Sequence, residues 1–191
     1  MSSSAITKAQ PAAQVKANVA TGQLFANAAN PLVPAIINVP GSGRLEQKKF
    51  VVRASGTATT GATSTVAPTL YMAKSVPATP FTPANWTILG AATGVSFATT
   101  TGAWWIEALL EFESVGGTMQ GSFSSLILNT LGAAAAIPNL LTGLNGTSQT
   151  VTQGSTVVPQ TEPVFVIACG LTFGTANVGN IGTMGDFSLD G

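Results

Sequence analysis

The sequence predicts an all-β protein, built as an antiparallel β-sandwich. Short segments in which apolar and polar residues alternate recur along residues 45–191, and turns that contain glycine, proline or asparagine separate them. About eight or nine such segments are recognisable, and this spacing is typical of a sandwich. Of the 191 residues 45% are apolar, which is enough to form a core, whereas only 7% are charged.

The N-terminal 44 residues have a different pattern. They contain no sustained apolar repeat at the period of a strand or of a helix, and they are rich in alanine, asparagine, glutamine, proline and glycine. A flexible Gly-Ser-Gly joint at residues 41–43 closes the region. We therefore predict that residues 1–44 form an extended N-terminal arm and that residues 45–191 form the sandwich domain. Since the arm has no apolar face, its deletion is expected to leave the sandwich folded.

The arm is predicted to bind a neighbouring subunit. Ordering an extended segment costs about 1–2 kcal/mol per residue in backbone entropy, so only a long contact would hold it in place. The residues predicted to form the interface are Lys8, Lys16, Leu24, Phe25, Leu32 and Val33 in the arm, and Trp105 in the domain.

The first half of the domain is predicted to contain short strands. Phe50, Val52 and Ala54 alternate with more polar positions, which indicates one face of a strand. Three prolines within residues 76–83 predict a loop there. Further short strands are predicted at residues 69–73, 85–89 and 95–99.

Residues 103–114 fit two kinds of secondary structure. They include good helix formers, but their large apolar side chains fall on one face at a period of two residues. Turn-forming residues flank the segment, so we predict a strand that forms a hairpin with residues 118–128. The apolar positions on the shared face are Trp104, Ile106, Ala108, Leu110 and Phe112.

The C-terminal part is predicted to continue the sandwich. Residues 131–144 are small and apolar and are the place for any helical turn, and residues 147–158 read as a strand. The continuous apolar run at residues 164–169 predicts a central strand that is buried on both faces. Residues 183–190 are predicted to form the last strand.

Charge is distributed unevenly along the chain. Residues 1–74 hold all seven basic residues and one acid, for a net charge of +6, whereas residues 75–191 carry −6. Two interpretations stay open. Either copies or partners attract each other through opposite charges, or strands from the two halves neutralise each other within one sheet.

The residue types present exclude several kinds of catalysis. The sequence has no histidine, which removes the Ser/His/Asp and Cys/His nucleophile systems and most zinc sites. The single cysteine, Cys169, excludes an internal disulfide and lies in an apolar run, so we interpret it as buried. We expect a protein that is not an enzyme and that needs no cofactor or metal.

Carboxylates are the remaining candidates for acid–base chemistry. Glu107 and Glu111 would lie roughly 13 Å apart on one strand, which is too far for either glycosidase geometry. A pair formed by Glu107 and Asp186 from another strand stays open. Basic residues are too sparse for a nucleic-acid interface, and the most apolar window is too short for a membrane span, so neither partner is expected.

The tryptophans provide candidate contact residues. Trp104 and Trp105 are adjacent in a predicted strand, so their side chains point to opposite faces. Trp104 joins the core face, and Trp105 points outward or into a subunit contact. An exposed tryptophan can also stack on a sugar ring, and Trp86 is a second residue for that role.

In its organisation the chain resembles the jelly-roll decoration, or cement, proteins of tailed-phage capsids. The resemblance depends on the N-terminal arm, the strand opening at residues 48–56, the run at residues 104–108, and the loop at residues 173–177 before the last strand. It implies a jelly-roll-like β-sandwich on the outer capsid surface of a virion, often a homotrimer, that binds across major capsid protein subunits. The family has no catalytic residues to carry over.

Three functions are therefore considered from the sequence. The first is capsid decoration, in which the protein bridges neighbouring capsid subunits. The second is a carbohydrate- or receptor-binding module of a phage head or tail fibre, with Trp86 or Trp105 in contact with the ligand. The third is a carboxylate-based glycan hydrolase. A small-molecule ligand is not expected under the first.

Overall fold

The computed structural model describes residues 7–8, 14–17, 23–27, 30–39, 49–73, 75–92, 94–112, 119–128, 149–150 and 165–191. In these residues the chain forms thirteen strands and one 3₁₀ turn, Pro83–Asn85. No helix in this part of the chain is long and apolar enough to cross a membrane. The strands are β1 (Thr7–Lys8), β2 (Gln14–Ala17), β3 (Gln23–Leu24), β4 (Ile36–Val39), β5 (Lys49–Thr59), β6 (Ser64–Ala73), β7 (Thr87–Ala91), β8 (Val95–Phe97), β9 (Thr101–Phe112), β10 (Met119–Leu128), β11 (Gln149–Thr150), β12 (Phe165–Phe173) and β13 (Ile181–Asp190).

The strands form two antiparallel sheets. Sheet 1 has the order β1-β13-β5-β9-β10-β11, and β2 also pairs with β13. Sheet 2 has the order β3-β12-β6-β7, with β4 on β12 and β8 on β6. Along the sequence, successive strands change sheet six times, after β2, β4, β5, β8, β11 and β12. The prediction of an all-β, jelly-roll-like antiparallel sandwich is confirmed.

Period-two alternation places the core between the sheets. In β5 the residues Val52 and Ala54 are buried, whereas their neighbours are partly exposed. Strand β9 alternates in the same way, with Trp104 and Ile106 buried. The choice of a strand over a helix for this segment is confirmed, and β9 pairs with β10 from Ala103 to Phe112.

Strand β12 is central to sheet 2, as the apolar run predicts. It pairs with β6 on one side and with β3 and β4 on the other. The side chains from Val166 to Cys169 are all buried, on both faces of the sheet. One face contacts the main core, and the other is covered by the loop before β7, which carries Trp86.

The interpretation of residues 1–44 as an arm outside the core is wrong for residues 23–27 and 30–39. Strands β3 and β4 are part of sheet 2, and the Phe25 side chain is fully buried. Its ring stacks on Trp104, with the ring centroids 5.6 Å apart. Strands β1 and β2 likewise pair with β13. These N-terminal segments are extended, as predicted, but they complete the edges of both sheets.

Two further groups of sequence predictions concern the bounds of strand β6 and residues 131–158. Strand β6 extends beyond the predicted residues 69–73 and includes Pro68. Proline has no backbone N–H to donate to a neighbouring strand, but Pro68 lies between the residues of β6 that pair with β8 and those that pair with β7. No hydrogen bond to either strand is therefore lost. Instead the Pro68 carbonyl accepts a hydrogen bond from Ala92 N at 2.9 Å. The predictions for residues 131–144 and most of 147–158 lie outside the described residues.

Candidate functional site

A tightly bonded loop between β3 and β4 presents an exposed leucine. Asn27 N donates to Val33 O at 2.8 Å, and Val33 N donates to Asn30 O at 3.0 Å. The Asn30 side chain accepts a bond from Leu32 N at 3.2 Å. Leu32 is 80% exposed at the tip of this loop. We call the described residues of this connection, 26–27 and 30–34, the Leu32 loop.

A second loop, between β12 and β13, uses the same device. The Asn177 side chain accepts a bond from Gly179 N at 2.8 Å, two residues further on. The fully buried Asn180 accepts from Gly61 N and donates to Thr175 O at 2.7 Å. Val178 is 85% exposed on this loop. We call residues 174–180 the Val178 loop.

In both loops an asparagine side chain imitates a turn and fixes the backbone around an aliphatic side chain that faces solvent. Asparagine and aspartate favour such turns because the side chain bonds the backbone two residues on. A pre-ordered loop loses little conformational entropy when a partner covers it. The arrangement is therefore suited to contact with another protein surface.

The other predicted interface residues lie in different environments. Leu24 and Phe25 are buried within the sandwich, so the prediction that they face a neighbour is wrong. Val33 is half-buried beside Leu32. Lys8 and Lys16 are in register with Ser188 and Gly182 of β13, at the edge of sheet 1.

Trp105 is half-buried on the outer face of sheet 1, opposite the core face that holds Trp104. This alternation agrees with the sequence prediction. In register it pairs with Ser55 of β5. Its partial burial leaves it less accessible than either loop tip.

Oppositely charged residues from the two halves of the chain meet on the same outer face. Arg53 Nε lies 2.7 Å from a Glu107 carboxylate oxygen, and an Arg53 terminal nitrogen lies 3.8 Å from Asp190. Because β5 pairs with β9 and β13, part of the charge asymmetry is neutralised within one sheet. All three side chains are more than a third exposed, so each pair contributes about 0–1 kcal/mol.

The candidate catalytic residues do not assemble into a site in the described part of the chain. Glu107 pairs with Arg53, and β5 separates it from the strand of Asp186. Cys169 is fully buried, and this burial raises the pKa of its thiol far above the ordinary value. No group of three or more possible metal ligands occurs among the described residues.

A groove lies on the outer face of sheet 2. Its volume is about 480 Å³, which falls in the range of small-molecule sites. Outward-facing residues of β6 form the floor, and the 3₁₀ turn and β7 form the walls. The residues that line the groove include Thr69, Tyr71, Pro83, Trp86, Ile88 and Thr172.

Trp86 is held rigidly at the side of this groove. Its indole nitrogen donates to Pro80 O at 2.8 Å, and its backbone nitrogen donates to Pro83 O at 3.0 Å. Only 6% of Trp86 is exposed, because it packs on Tyr71, Val166 and Ala168. The sequence singled out Trp86 but missed the groove. Nine of its ten lining residues lie within residues 67–92, but they come together only when β6 pairs with β7, and the tenth, Thr172, comes from β12.

Comparisons with known proteins identify no family. No family model and no curated protein matches the chain. Among solved structures, arcelin-5, a lectin-like defense protein from Phaseolus vulgaris, has 7% identity and a TM-score of 0.35, with 99% of this chain and 98% of that chain covered. Lectin I from Ulex europaeus, in complex with a methyl glycoside of α-L-fucose, has 10% identity, the same TM-score and the same coverage. At such low scores the likeness carries no argument.

Proposed function

We propose that this protein is a structural subunit of a virion, a decoration protein that binds the outer surface of a tailed-phage capsid and bridges neighbouring major capsid protein subunits. The observation that carries the proposal is the pair of rigid loops that present Leu32 and Val178 to solvent. The resemblance in organisation supplies the kind of partner, and the proposed assembly is a homotrimer.

The loops support a binding role for two physical reasons. Large aliphatic side chains exposed to 80% and 85% gain free energy when a partner covers them, at about 25 cal/mol per Å² of apolar surface. In each loop an asparagine side chain bonds the backbone beside the exposed residue, and this order before binding reduces the entropy lost in the complex. Neither loop tip contributes to the sandwich core. Folding therefore does not determine which side chains stand at these positions, and a binding partner can.

The test uses purified protein and capsids of the phage that encodes it, prepared without the decoration protein. The variant carries Leu32→Asp and Val178→Asp together, and the matched control carries Val76→Asp, a valine that is 37% exposed on another loop. Light scattering gives the oligomeric state, and sedimentation of protein with capsids gives binding.

We expect the unaltered protein to form a trimer and to saturate the capsids, and the control to behave in the same way. The double variant should keep its melting temperature and lose capsid binding by about a hundredfold or more, since each loop would place a carboxylate against an apolar surface. Failure of the unaltered protein to bind capsids would refute the proposed function. Normal binding by the double variant would show that the loops are not the attachment surface.

A further inference from the structure

We propose that the groove on the outer face of sheet 2 binds an uncharged saccharide ring. This site is separate from the two loops, and the inference goes beyond the proposed structural role. It would give the particle a second kind of contact, with glycans rather than with capsid protein.

The position of the groove follows from the period of two residues in β6 and β12. Val66, Leu70 and Met72 point into the main core, so the residues between them face outward. Thr69 and Tyr71 of β6 therefore lie on the groove floor, and Thr172 of β12 lies beside them. Pro83, Trp86 and Ile88 form apolar walls on the other side.

The chemistry of the lining selects an uncharged, hydroxyl-rich ligand. None of the lining residues is charged, so neither an acidic nor a basic group would find a partner there. The polar side chains of the lining are three hydroxyls, those of Thr69, Tyr71 and Thr172. A hydroxyl both donates and accepts, as does each hydroxyl of a sugar.

Tyr71 stays neutral in this position. Burial raises the pKa of its phenol, and the phenol forms a hydrogen bond with the Thr69 side chain. A neutral phenol keeps its proton as a donor, so the pair offers a sugar hydroxyl both kinds of hydrogen bond. The apolar walls complement the C–H faces of a pyranose ring, and rings of this size fit a groove of about 480 Å³.

The walls are ordered before a ligand arrives. Besides the two bonds that hold Trp86, Asn85 N donates to Thr82 O at 3.0 Å. The Asn85 side chain donates to the Thr79 hydroxyl at 2.5 Å. A wall fixed in this way reduces the entropy lost on binding.

The experiment is an NMR titration of the full-length protein with free methyl glycosides. The probes are methyl glycosides of neutral hexoses and of N-acetylhexosamines, with sialic acid as a charged comparison. The Trp86 indole N–H resonance reports directly on the wall of the groove. Ile88→Lys brings a charge into the groove, and the matched control Ile181→Lys makes the same change at a partly exposed position of β13 in sheet 1.

We expect at least one neutral glycoside, but not sialic acid, to shift the Trp86 indole resonance and the amides of β6 and β7. Ile88→Lys should weaken this binding about tenfold or more, and Thr172→Val, which removes a hydroxyl at nearly constant volume, should weaken it as well. Ile181→Lys should bind normally. Capsid binding should be unchanged in all three variants, so failure of the two proposals can be told apart.

The inference is overturned if no neutral glycoside shifts these resonances, or if sialic acid binds as well as neutral sugars do. It is also overturned if Ile88→Lys and Ile181→Lys weaken binding equally, because the site would then not be the groove.

Discussion

Trp104 occupies the centre of the core because one residue opposite it has no side chain. Trp104 is in register with Gly56 of β5, stacks on Phe25, and donates from its indole nitrogen to Thr57 O at 3.2 Å. A Cβ atom on Gly56 would lie 1.8 Å from Thr183 O and 2.8 Å from the Trp104 ring. The Trp104 ring therefore fits at this position only because residue 56 is a glycine.

We predict that Gly56→Ala lowers the free energy of unfolding by about 3 kcal/mol, because the added methyl group overpacks the core against backbone that has no room to move. Chemical denaturation measures the change. The matched control is Gly185→Ala in the bulge of β13, where a Cβ would meet only Ser55 O, at 3.9 Å. Equal stability of the two variants would contradict this account of the core.

At the scale of elements, strand length decides what the sequence can predict. Strand β9 has twelve residues, so its alternation is visible and its prediction as a strand is confirmed. Strand β3 has two residues, and no period can be read from two positions. Its burial comes from pairing with β12, which follows more than 140 residues later, and only the folded chain brings the two together.

The same limit applies to the candidate site. Leu32 is exposed at a loop tip, whereas Leu24 and Phe25, in the same N-terminal region, have equally apolar side chains and are buried. Composition cannot distinguish a leucine at a loop tip from one that completes a sheet. The groove was missed for a related reason, because it forms only where β6 pairs with β7 and with β12.

We predict that Phe25→Ala destabilises the protein by about 3–5 kcal/mol, as expected for removal of a fully buried aromatic ring. Leu32→Ala, seven residues later, should change the free energy of unfolding by less than about 0.5 kcal/mol.

A truncated chain that begins at Gly43 should fail to fold. A truncated chain with an unchanged melting temperature would restore the interpretation of this region as an independent arm.

At the scale of the whole molecule, charge and apolar surface offer two different ways to assemble. The two parts of the chain carry +6 and −6, but Arg53 already pairs with Glu107 and Asp190 inside sheet 1. The loops, by contrast, present aliphatic side chains without charge. Contact through apolar side chains and contact through opposite charges respond differently to salt.

We predict that the oligomeric mass measured by light scattering stays constant when sodium chloride is raised from about 0.05 M to about 1 M. Screening over this range shortens the Debye length to about 3 Å, which removes attraction between exposed charges but leaves apolar contacts intact. Arg53→Met should likewise leave the mass unchanged and alter the free energy of unfolding by less than about 1 kcal/mol, since its ion pairs are solvent-exposed. Dissociation at high salt would mean that the opposite charges of the two halves hold the subunits together.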